Sequence, residues 1–125
     1  MIRAADALAA LAALMGAAGV ALAALGQHAD GGELTTTASM FLVLHAGALL
    51  GVSAHVRQRD SARALLTFGV ALALGTILFA GDLAARAFSG TRLFPFAAPI
   101  GGSAMILSWL ALAIVFNYSA TRAPD

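Results

Sequence analysis

The chain has 125 residues, 61% of them hydrophobic and only 10% charged, with a mean hydropathy of +0.91. A soluble domain would carry about a quarter charged residues, so this sequence reads as an integral membrane protein, one domain over 1–125. A net charge of +1, from seven Arg and no Lys, leaves no basic block for nucleic acid. The absence of cysteine excludes disulfides, thiolate catalysis and Cys-ligated zinc or iron–sulfur centres.

A spanning helix needs about 20 mostly apolar residues. Four runs qualify, Ala7–Leu25, Ala38–Val56, Ala64–Gly81 and Ala97–Phe116, predicting helices over about 7–25, 38–56, 64–88 and 97–117. A closed barrel would also satisfy a backbone in lipid, but its alternating pattern is absent. The predicted fold is all-α, a bundle of four transmembrane helices.

In the first run, "ALAALG" offers small residues for a signal-peptide cleavage site. A single Arg3 offset by Asp6 makes a poor basic n-region, and the apolar run is too long, so the run reads as a span. Leu8, Leu11, Met15, Leu22 and Leu25 form a bulky stripe that can face acyl chains, leaving Ala and Gly faces, Gly16 included, for close helix packing. "QHADGGELTTT", residues 27–37, is a polar connection in which Thr35 to Thr37 suit the cap of the second helix.

The second run carries Gly47 and Gly51 at GxxxG spacing, read as packing inside the bundle in preference to a dimer seam. "RQRDS", residues 57–61, is a tight charged turn, with Asp60 or Ser61 capping the third helix. "AARAFSGTRLFPF", residues 84–96, holds a helix stop at Gly90 and interfacial anchors Phe88, Phe94 and Phe96. In the fourth run Gly101 and Gly102 follow Pro99. They could open a broken-helix ion site, but a helix start with close packing is the reading adopted.

With four spans, Arg3, Arg57, Arg59, Arg63 and Arg122 share the side of the termini, against Arg86 and Arg92 opposite. The positive-inside rule then places both termini in the cytoplasm.

Residues 72–112, "LALGTILFAGDL…RLFPFAAPIGGSAMILSWLAL", resemble the signature half of the YgdD-like family of small bacterial membrane proteins, domain of unknown function family 423. Gly75, Leu78, Phe79, Gly81, Leu83, Pro99, Gly101, Gly102 and Trp109 carry the match. "ALG" with His28, and "LHAGALL" with His45, are similar to the ends and middles of that family's first two helices. Asp82, Ala85 or Ala84, Ala98 and Ser108 depart from the pattern, standing where the family has Ser, Tyr, Thr and Gly. The resemblance implies a four-helix protein of the bacterial inner membrane and implies no activity.

If the second helix runs inward from Ala38, His45 lies about 10 Å below the outer boundary. Thr76 and Ser103 then fall at a similar depth, with His28 and Asp82 at the rim above. These five form a candidate ligand or proton site in the outer half. Against it, a membrane His commonly bonds a group on a neighbouring helix, and Thr76 and Ser103 can bond their own backbone. His45 is expected to face the bundle and meet Thr76 or Ser103. Asp82 has Arg86 one turn away, spaced for a surface ion pair; turned inward instead, it would face the His28/His45 opening.

No nucleophile motif, P-loop, HExxH or carboxylate pair is present, so an enzyme is not expected, nor a metal or cofactor. Two function classes remain. One is a structural or accessory protein in the lipid bilayer, packing as a homo-oligomer or into a larger membrane complex. The other is a small transporter, channel or ligand-binding protein using the polar cluster around His45.

Overall fold

The computed structural model describes residues 1–28, 32–58 and 61–121. The charges at Asp30, Arg59 and Arg122 and the capping role of Asp60 lie outside the described residues. Those described form four helices: α1 (Ile2–Gly26), α2 (Gly32–Val56), α3 (Ala62–Ser89) and α4 (Ala97–Thr121). All four are long and apolar enough to cross a membrane. The chain is an all-α, multi-pass membrane protein.

Helix α2 starts at Gly32, six residues ahead of the predicted Ala38. Thr35 and Thr36 do not cap it from outside. They sit inside its first turns, where their Oγ1 atoms donate to Gly32 O at 3.1 and 2.6 Å. Hydroxyls satisfied on their own helix let a polar run continue it instead of ending it.

Ser61 occupies the N-cap position of α3 without a capping bond. Its Oγ lies 2.9 Å from Ser119 Oγ, tying the start of α3 to the end of α4. Gly90 ends α3 as predicted, with φ at 71° and its N–H donating to Arg86 O at 3.1 Å. That left-handed conformation favours glycine. The chain then reverses through 91–96, where Phe96 has a φ of 67°. Phe88, Phe94 and Phe96 are exposed, as interfacial anchors require. Pro99 falls in the first turn of α4, where a missing N–H is tolerated. The helix runs unbroken through Gly101 and Gly102.

The central pair is α2 and α3. Their apolar stretches are 44% and 39% buried, against 22% for each of α1 and α4. Helix α1 packs along α2, α2 along α3 and α3 along α4, while α1 meets α3 only sparsely. Two hydroxyls tie α1 to α2: Ser39 Oγ donates to Gly19 O at 2.7 Å, and Ser53 Oγ donates to Ala5 O at 2.9 Å. Such bonds, with small residues at the crossing, hold helices together where lipid supplies no hydrophobic drive. At the end that bears the termini, Arg57 pairs with Asp6.

The bulky stripe of α1 faces lipid only at its far end, where Leu25 is exposed; Leu11 and Leu22 are half-buried. Leu8 and Met15 are buried with Ala5, Ala12 and Gly19, while Leu14 and Val20 are exposed. The inward face alternates large and small residues, so that Leu8 fills the space left by Gly69 of α3. Gly16 packs as expected: a Cβ there would lie 3.6 Å from Ala46 Cβ, an ordinary contact.

The glycines of α2 do not. Gly47 and Gly51 are exposed, with no described residue within 4 Å of an added Cβ. They sit on the face of α2 turned away from both its neighbours. A glycine-on-glycine crossing lies instead between α3 and α4, where a Cβ on Gly101 would stand 2.7 Å from Gly75 O and from Phe79 N. Gly102 is looser, its nearest neighbour being Phe79 Cδ2 at 3.9 Å.

Candidate functional site

His45 projects from the middle of α2 and is 8% exposed. Its Nδ1 lies 2.8 Å from Phe41 O, and its Nε2 lies 3.2 Å from Trp109 Nε1 on α4. An indole N–H can only donate, so Nε2 is the acceptor and Nδ1 carries the hydrogen donated to Phe41 O. Both ring nitrogens are therefore committed to the scaffold. Phe41 stacks beside the imidazole with centroids 5.7 Å apart and planes at 12°. Phe41 also packs on Phe79 of α3 at 4.7 Å. The surroundings of His45 are aromatic packing drawn from three helices.

The bundle-facing orientation of His45 was legible, and so was a partner from the fourth helix. The partner itself was not: it is Trp109, neither Thr76 nor Ser103. The cause is the start of α2. Counted from Gly32, His45 is about 20 Å down its helix, and Trp109 is about 18 Å down from Ala97. Moving the start of α2 six residues earlier shifts its level on α4 from Ser103 to Trp109. His45 thus sits at the middle of α2, level with Trp109 of α4.

The remaining members of the predicted cluster disperse. Thr76 is buried and donates to Leu72 O at 2.8 Å, satisfied on its own helix as expected. Ser103 is exposed on the outward face of α4. His28 is exposed just beyond the end of α1.

Asp82 makes no ion pair with Arg86. Its side chain is fully buried, and Oδ1 accepts a hydrogen bond from Leu93 N at 2.9 Å, pinning the loop between α3 and α4. Its Oδ2 is buried without a partner among the described residues. The expected surface pair fails because Asp82 points into the bundle, a matter of tertiary packing and not of i,i+4 spacing. Nor does it meet a histidine opening: its hydrogen bond goes to Leu93 N, while His45 bonds Phe41 O and Trp109 and His28 is exposed.

The His45–Trp109 contact has a measurable worth. Hydrogen bonds between transmembrane helices average about 0.6 kcal/mol and reach about 1.7 kcal/mol in double-mutant cycles. A cycle of His45→Leu and Trp109→Phe, followed by unfolding in mixed detergent micelles, is expected to give a coupling energy inside that range. Additive losses would show that the two rings are neighbours without being bonded.

Comparison with known proteins fits this architecture. The model of a family described as protein of unknown function (DUF423) matches residues 8–102. The UPF0382 inner membrane protein YgdD of Escherichia coli (strain K12) is 32% identical over 110 residues, covering 82% of this chain and 83% of that protein. Proteins of the same name from Escherichia coli O157:H7 and Shigella flexneri share the same identity and coverage. No solved structure matches the chain.

Proposed function

This chain belongs to the DUF423 family, and from that premise we propose a structural or accessory protein of the bacterial inner membrane. It packs with copies of itself or within a larger membrane complex and carries out no reaction. The observation that carries this reading is the open face of α2, where Gly47 and Gly51 have no neighbour among the described residues. Between helices in lipid, small residues allow the close backbone approach on which association depends. Here a central helix keeps such a pair uncovered, flanked by exposed Met40 and Leu44.

The polar side chains support the same reading. Ser39, His45, Ser53 and Thr76 are spent on bonds within the scaffold. A transporter built on His45 would need a ring nitrogen free for its cargo, and the indole of Trp109 occupies the one that faces α4.

The absence of native cysteine makes the test direct. Gly47→Cys places a thiol in open space, so oxidation in native membranes is expected to give a covalent homodimer or a defined adduct with another membrane protein. Ala113→Cys, on an exposed face of α4, is expected to give neither. If Gly47→Cys and Ala54→Cys both stay monomeric, the association reading fails.

The proposed orientation places both termini in the cytoplasm, on the five-to-two Arg asymmetry. A reporter active only in the periplasm, fused after Asp125, is expected to stay silent. A strong signal would invert the topology.

A further inference from the structure

Helices α1 and α3 meet where Leu8 packs over Gly69, then part toward the end opposite the termini. The gap is a groove of about 280 Å³, walled by Leu14 and Leu22 of α1 and Ile77 of α3, and floored by Leu42 of α2. Ala18 and Ala84 also line it, and every lining residue is apolar. We infer that this groove holds one acyl chain of a glycerophospholipid, drawn from the leaflet at the C-terminal end of α1.

Length and width decide the occupant. The groove follows α1 from Leu11 to Leu22, about 16 Å of helix. Half of a hydrocarbon core about 30 Å thick is about 15 Å, so the groove is about as long as one leaflet is deep. Even the whole empty space of about 600 Å³, spread over that length, gives a cross-section of only about 36 Å². A helix about 10 Å across needs about 80 Å², so a second copy's helix cannot seat in it. A polymethylene chain is one carbon wide, with contacts at about 4 Å, and fits.

Water is no alternative filler, because an apolar cavity stays dry; one of about 150 Å³ takes up benzene instead. Left empty, the groove would forfeit the dispersion contacts of its whole lining. This inference goes beyond the association proposed above and uses a different face, so either can fail without the other.

The test uses the full chain reconstituted in phospholipid bilayers doped with a phosphatidylcholine carrying a photoactivatable diazirine midway along one acyl chain. Leu14 on the groove wall and Leu107 on α4 are 69% and 66% exposed, so a plain lipid annulus labels them alike. The groove predicts several-fold more adduct at Leu14, Ala18 and Ile77 than at Leu107. Ala18→Phe, which fills the groove from an exposed position, is expected to remove that excess and leave the α4 adducts unchanged. Adducts that follow exposure alone would overturn the inference. So would disulfide-linked dimers formed by Ala18→Cys in native membranes, which would make the occupant a second copy.

Discussion

Gly101→Ala is expected to destabilise the fold by about 1–3 kcal/mol, the range for forcing extra volume into a packed interior. The added methyl would meet Gly75 O and Phe79 N at 2.7 Å, both backbone atoms. A flexible side chain could swing aside, whereas here α3 and α4 must separate as units. Separation would weaken the whole length of the α3–α4 seam, since close approach is what makes dispersion effective between helices in lipid. Gly75→Ala should act in the same way, its methyl standing 3.0 Å from Gly101 O and from Ala104 Cβ. Gly102→Ala and Gly47→Ala are the controls, the first with 3.9 Å to its neighbour and the second open. Thermal unfolding in mild detergent should show a clear fall for Gly101→Ala and Gly75→Ala and little change for the controls. Equal tolerance at all four positions would mean that the α3–α4 crossing is not the tight contact described.

The number of helices and their approximate extents were readable because hydrophobic length is a one-dimensional property. Gly90 was readable for a local reason too, as a residue suited to the left-handed stop that α3 requires. The start of α2 was not, because apolar length marks where a chain leaves lipid, not where its helix begins. Thr35 and Thr36 bond back to Gly32 O and carry the helix past the apolar run. That six-residue offset then propagated into the site, moving the partner of His45 from Ser103 to Trp109.

Facing was harder still. In an Ala- and Gly-rich helix such as α1 every face permits close approach, so composition does not say which one turns inward. The GxxxG pair of α2 illustrates the point from the other side. Its spacing is the familiar one, yet the glycines in close contact are Gly75 and Gly101, on different helices and invisible as a pair in the sequence.

Asp82 is where local spacing and tertiary packing gave opposite answers, and its substitutions separate two accounts of the buried carboxyl. In the structural account, Oδ1 holds Leu93 N–H and Oδ2 is a cost. An unsatisfied buried acceptor costs about 1–3 kcal/mol, more if charged. Asp82→Asn keeps the acceptor for Leu93 and exchanges the orphan oxygen for a neutral group, which is cheaper to bury. Its stability is therefore expected to equal or exceed that of the parent chain.

Asp82→Leu removes the acceptor altogether. A hydrogen bond to a charged partner is worth about 1.5–3 kcal/mol, so exchange at the Leu93 amide should quicken by about ten- to a hundredfold. The helices themselves should stay packed, since a side chain of similar bulk fills the same space. Hydrogen exchange resolved at Leu93, read beside global unfolding, distinguishes a loosened 90–96 loop from a lost fold. In the other account the carboxyl is needed as such, because its second oxygen binds a group that an amide cannot hold. Asp82→Asn would then be markedly less stable than the parent, and the pinning of Leu93 would explain only half of what this residue does.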